Sequence, residues 1–158
     1  MTREQKQGFT LRITQANPTQ MIVILYEMTL CYVRDAKTAL ECGQRTELHD
    51  AVRRARGCIG ELMDSLNLKY QPAPALLGLD GFCIRRLAAA EAGETVQALL
   101  EIEKVILPLH DAYEQIADRN SAGAVMNNSQ TVYAGLTYGR NSLTENMADQ
   151  GANRGIYA

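Results

Sequence analysis

The sequence predicts an all-α protein, an antiparallel four-helix bundle, on three observations. Apolar residues recur at gaps of three and four in four successive stretches, the period of helices that bury one face. Proline, glycine and capping side chains stand between those stretches, where they start and stop helices. The connections left over are short, which sets consecutive helices antiparallel. At 158 residues the chain has the length of one domain and buries one core.

The first helix opens at Asn17-Pro18-Thr19-Gln20. Asparagine caps it, proline takes the first helical position where its missing N–H costs nothing, and Gln20 reaches back to the cap. Ile22, Leu25, Tyr26, Thr29, Val33, Ala36 and Leu40 then form one stripe, and Gly43 supplies a stop. Met21, Ile24, Met28 and Cys31 form a second stripe beside it. A surface helix needs one apolar face, so this helix is either central in its bundle or partly covered by something mobile.

The second helix carries Leu48, Val52, Ala55, Ile59, Leu62 and Leu66, with Arg53, Arg54 and Arg56 turned outward. It packs antiparallel to the first. Tyr70-Gln71-Pro72-Ala73-Pro74 breaks helix, because each proline restricts its own backbone and that of its predecessor. A third helix follows with Leu76, Leu79, Cys83, Leu87 and Ala90 on its inward stripe and Gly93 at its end. The fourth carries Leu99, Ile102, Ile106, Leu109, Tyr113 and Ile116 in heptad-like register, widened by Val105 and Ala112. Pro108 falls inside that stripe, costs about 3 kcal/mol in a regular helix interior, and predicts a kink over 104–107.

From Asn120 onward Asn, Ser, Gly and Gln prevail, with too few apolar residues to build a core. The chain thus divides into an N-terminal segment (1–16), the bundle (17–119) and a flexible polar tail (120–158). Val132, Tyr133, Leu136 and Tyr138 give that tail more apolar surface than an inert linker needs, and a short helix near 143–149 has the capping signal to form on contact.

Charge and composition exclude several classes of function. The 16 basic residues nearly balance the 18 acidic ones, which leaves no broad electropositive surface for nucleic acid. The most apolar run, 21–33, contains Glu27 and falls short of the roughly 20 residues that span a bilayer, so no membrane insertion is expected. The start, 1–10, is polar and lacks an export signal, which points to the cytoplasm. Cys31, Cys42, Cys58 and Cys83 lie far apart and read as small buried apolar side chains in a reducing compartment.

Chemistry is not in evidence. His49 and His110 are lone histidines without converging ligands, and no phosphate loop, nucleophile elbow or metalloprotease helix is present. No catalytic residue, cofactor or metal is therefore assigned. A histidine phosphotransfer bundle centred on His110, with Glu114 in reach, is one alternative, although the basic neighbour and glycines of that class are missing. A module that only self-associates is another, and the free protein is a monomer or a dimer.

Gly57 and Gly60 in the second helix, and Gly78 and Gly81 in the third, each cost up to about 1 kcal/mol against alanine. They mark either close helix-to-helix contacts or a shallow groove floored by bare backbone that takes an incoming amphipathic helix. The partner-binding surface assigned on the second reading comprises Met21, Ile24, Leu25, Tyr26 and Met28 with the four glycines, Phe82 and Ile84. Flexible methionines suit such a surface.

Thr14-Gln15-Ala16-Asn17-Pro18, followed by Met21-Ile22-Val23-Ile24-Leu25-Tyr26, Leu30, Ala36 and Lys37, resembles the signature of the flagellar secretion chaperone FliS family. The resemblance continues in Ile59-Gly60-Glu61-Leu62, Ile84-Arg85-Arg86-Leu87 and Leu109-His110-Asp111-Ala112-Tyr113, and covers about 7–116. Asp80 departs from it, standing where the family usually has an aromatic residue. The resemblance implies a cytosolic chaperone that binds the C-terminal segment of flagellin, prevents premature polymerisation and hands the client to the flagellar export apparatus. It also implies that the chaperone's own N-terminal segment occupies part of the client surface beforehand, with Phe9, Leu11 and Ile13 as the covering side chains.

Overall fold

Asn17 starts the bundle as its sequence requires. Its side chain accepts from the Gln20 amide at 2.8 Å while Gln20 accepts from the Asn17 amide at 3.0 Å. The computed structural model describes residues 1–93, 95–117, 119–120 and 123–125. All regular elements among them are helices: α1 (Arg3–Gln15), α2 (Pro18–Glu41), α3 (Arg45–Ser65), α4 (Ala73–Glu91) and α5 (Val96–Ala117). The readings placed on Val132, Tyr133, Leu136, Tyr138 and the short helix at 143–149 fall outside the described residues.

The predicted punctuation is in place. Gly43 and Gly93 end α2 and α4 at φ of 68° and 87°, where a side chain would strain the backbone. Pro74 lies in the first turn of α4, which needs no N–H from it. Pro108 sits on the exposed side of α5, and the helix continues through it. Lys104 loses the donor its carbonyl would otherwise have there.

Helices α2, α3, α4 and α5 form a ring in which each packs on two neighbours. Ion pairs fix the antiparallel sense. His49, early in α3, and Arg56, near its middle, reach Glu91 at the end of α4 at 2.7 and 3.1 Å. Arg86, late in α4, reaches Glu101, early in α5, at 2.8 Å. Inside the ring Val33, Ala36, Val52, Ile59, Leu87, Leu99, Ile102 and Ile106 are wholly buried, and the buried Thr29 hydroxyl donates to the Leu25 carbonyl.

Three expectations need correction. The N-terminal segment is itself a helix, α1, so the described residues hold one helix besides the four of the expected bundle. Its Thr2-x-x-Gln5 capping box is formed, with Thr2 and Gln5 each accepting from the other's backbone. The stripes of α4 and α5 also outrun the core, since Leu79 and Ile116 are exposed and so is Ala112, while Leu76, Leu109 and Tyr113 are half-buried. Spacing fixes the face a residue occupies and not whether another helix is there to meet it. Finally, only Cys58 and Cys83 are the buried thiols expected; Cys42 is exposed at the end of α2 and Cys31 half-buried. Burial pushes the Cys58 and Cys83 thiols up to about 11 and 12.

Beside the exposed Leu79, Asp80 is 2% exposed, and its Oδ1 is sealed off without a hydrogen-bond partner. Desolvation raises its carboxyl to about 6. Among the described residues no helix is long and apolar enough to cross a membrane.

Truncating Ile102, a wholly buried side chain, to alanine is expected to destabilise the bundle by about 2–5 kcal/mol, read by urea denaturation. Asp80→Asn acts in the opposite direction. Because folding raises the Asp80 proton affinity above the ordinary 3.8, the ionised side chain destabilises fully above pH 6 and progressively less as pH falls toward 4. The variant is therefore expected to gain about 3 kcal/mol at pH 7.5 and well under 1 kcal/mol at pH 4, in denaturation measured across that range. Equal stability of the two proteins at every pH would show that the carboxylate is not desolvated.

Candidate partner-binding surface

Helix α1 doubles back along α2 and packs on no other helix. At one end the Met1 ammonium pairs with Asp35. At the other Arg12 donates through Nη1 and Nη2 to the two oxygens of Glu27 at 2.5 and 2.7 Å, a fork-to-fork geometry. Arg12 also lies over the Phe9 ring, 5.7 Å from its centroid. The Glu27 bond, with the nearby carboxylates, holds the guanidinium more firmly protonated than usual.

The N-terminal segment is anchored on the core by the buried Met1 side chain, but the apolar hold of α1 itself is slight. Phe9 and Ile13 are half-buried, and Leu11, read as a covering side chain, is 41% exposed. Ala16 and Thr14 are buried near the elbow where α1 meets α2. Val23 and Ile24 are buried there too, although they lie apart from the main core. Together with Arg12, Gln15, Gln20, Glu27 and Glu114 they line a groove between α1, α2 and α5. The surplus stripe of α2 is thus partly shielded by α1.

Residues after α5 fasten to the same elbow. Asn17 Nδ2 donates to the Asn120 carbonyl at 3.1 Å, Asn120 Nδ2 to Thr19 Oγ1 at 2.6 Å, and the Val125 amide to the Ala16 carbonyl at 2.9 Å.

The remaining residues assigned to a partner divide into two groups. Met21, Leu25 and Met28 are half-buried on α2. Ile24 and Tyr26 are interior in this conformation, Tyr26 tilted against Tyr113 with ring centroids 5.7 Å apart. On α3 and α4, Gly57 and Gly78 are exposed and Gly60 and Gly81 half-buried. A methyl group added at Gly57, Gly60 or Gly78 meets nothing within 4 Å, and at Gly81 only the end of Arg85 at 3.5 Å. Tight packing inside the bundle is therefore not what these glycines serve. Phe82 and Ile84 are half-buried on α4.

The structure adds residues that spacing had assigned to the core. Leu79 and Ile116 are exposed, and with half-buried Phe82, Val105, Leu109 and Tyr113 they leave apolar surface on the lower halves of α4 and α5. No sequence signal marks them as outward; only the position of the neighbouring helices does. His110 is largely shielded, with Nδ1 3.1 Å from Asp111 and Nε2 3.7 Å from Glu27. With Asp111 and Glu114 it offers three atoms close enough for a metal, but both carboxylates are exposed helix residues. Carboxylates facing both ring nitrogens disfavour an approaching phosphodonor.

Cutting the Arg12 fork removes a partly exposed ion pair, an effect of about 0.2–1 kcal/mol. Glu27→Gln is accordingly expected to speed hydrogen exchange across α1 by about two- to fivefold and to leave α3 and α4 unchanged. Uniform acceleration through the bundle would show that α1 is part of its cooperative unit.

A family model described as "Flagellar protein FliS" matches residues 1–120 of the chain. The chain is also similar to the "Flagellar secretion chaperone FliS" of Bacillus subtilis (strain 168), at 24% identity over 118 residues, covering 72% of this chain and 89% of the relative. The matched span takes in all five helices, and the chain belongs to the FliS family of flagellar proteins.

Proposed function

We propose that the protein is a cytoplasmic export chaperone whose client is the C-terminal segment of flagellin, which it keeps from polymerising and hands to the flagellar export apparatus. Apolar surface left unmet by the bundle carries this reading: Leu79 and Ile116 in the open, with half-buried neighbours on α4, α5 and α2. A patch of this kind on a soluble bundle needs a cover. The family membership and the name of the similar protein supply its class, an exported flagellar chain.

In this mechanism the client segment folds as it binds, and the apolar area it buries offsets the cost of ordering it. Met21, Leu25 and Met28 on α2, the bare backbone at Gly57, Gly60, Gly78 and Gly81, and Phe82 and Ile84 on α4 form its seat. Helix α1 competes for the α2 part of that seat. Ile24 and Tyr26 become available only when α1 and the adjoining side chains shift. Beyond the anchor at Met1, α1 is held by the partly exposed Arg12 pair and little apolar area, so a client displaces the helix from the α2 surface at small cost.

Calorimetry with a flagellin C-terminal segment tests the reading, with micromolar or tighter binding expected. Arg12→Glu repels Glu27 and frees α1, so its affinity is expected to rise about three- to tenfold. Absence of binding to the native protein would end the flagellin assignment, and unchanged affinity in Arg12→Glu would end the role of α1 as competitor.

A further inference from the structure

We propose that Asp80 is a recognition residue of this surface, held unpaired in the free protein to receive a lysine or arginine side chain of the client. The inference rests on the chaperone reading above. Other buried polar side chains of the bundle are satisfied: Thr14 by the Leu11 carbonyl, Thr29 by that of Leu25, Asn17 by Gln20 and Asn120. Arg56 and Arg86, partly sheltered, each also have a buried Nε without a hydrogen bond, but both guanidinium groups are ion-paired, with Glu91 and Glu101. Asp80 has neither: it is 2% exposed, with Oδ1 sealed and unpartnered. An isolated buried carboxylate is among the least favourable groups a core holds, so its persistence asks for a reason beyond folding.

Its position supplies one. Asp80 follows Leu79 and stands one turn after Leu76, at the end of the bundle where the stripes of α4 and α5 pass into solvent. Its charge is felt by Tyr26, Tyr113 and Cys83, and Tyr113 is half-exposed. The carboxylate thus lies close behind the apolar rim that a client covers. A client seated there removes what solvation remains, and a purely apolar client would leave the charge stranded. A lysine or arginine lays its aliphatic stem against the exposed Leu79 and half-buried Tyr113 and, as the side chains that seal Asp80 part on client binding, brings its cation to the carboxylate. Neutral donors give a weaker bond. With its carboxyl at about 6, Asp80 is mostly ionised at neutral pH and ready for a cation. The same arrangement discriminates: a segment without a basic residue at that register meets an uncompensated charge.

The test is calorimetry at pH 7.5 with the full chain and a flagellin C-terminal segment, in which each lysine and arginine is changed in turn to methionine. Asp80→Asn is expected to bind the unaltered segment at least tenfold more weakly while melting at a higher temperature than the native protein. One methionine variant of the segment is expected to lose a similar factor against the native protein and nothing further against Asp80→Asn. Asp80→Glu, which keeps the charge, is expected to restore part of the affinity. Equal or tighter binding by Asp80→Asn would overturn the proposal, and so would a loss that couples to no basic residue of the segment. Failure of the native protein to bind at all is a different result, which removes the flagellin reading itself.

Discussion

Everything in this molecule follows from a shared core that is shorter than the apolar stripes feeding it. Ile59, Leu87, Leu99, Ile102 and Ile106 are fully buried because four helices surround them on every side. One or two turns along, the same stripes continue as half-buried Leu76, Leu109 and Tyr113 and exposed Leu79 and Ile116. Burial of apolar area drives association with no preference for the identity of the covering chain. A bundle that stops short of consuming its own stripes therefore leaves apolar area whose burial would be favourable, which is the basis of the proposed client binding.

Helix α1 shows how such a surface is managed. It lies antiparallel on α2 and is fixed at its ends by the Met1 and Arg12 pairs, with Phe9 and Ile13 only half-buried beneath it. The Arg12 pair is partly exposed and contributes little free energy while fixing geometry, whereas the Met1 end is also anchored by its buried side chain. The elbow at Ala16 and Asn17 is better secured, since Asn17 caps α2 with its oxygen and clasps the Asn120 carbonyl with its nitrogen. The cap of α2 thus uses no atom of α1, which is what the proposed displacement of α1 requires.

The glycines and Asp80 belong to the same economy of incomplete burial. Bare backbone at Gly57, Gly60 and Gly78 faces open space, so the helix-propensity cost of these residues is not recovered by packing within the chain. Asp80 likewise sets a charge where folding alone favours an apolar side chain. Local choices that conflict with the stability of the free fold are where a recognition function is best sought.

By itself the sequence determined the helices of the bundle, their caps and stops, and their order. Asn17 with Pro18 and Gln20, Gly43, the proline pair before α4 and Gly93 act through neighbours a few residues away, and the inward faces follow from a period of 3.6. It also carried enough local signature to resemble its family. Helix α1 was legible in the Thr2 and Gln5 capping box but masked by its polar composition and Gly8. Only the tertiary structure decided how far each stripe is met by another helix, which made Leu79 and Ile116 surface and Asp80 interior. It alone excluded packing as the reason for the glycines, and paired Arg12 with Glu27 across fifteen residues. Periodicity is a property of one helix, whereas burial depends on where a second helix ends, and nothing local to the chain encodes that distance.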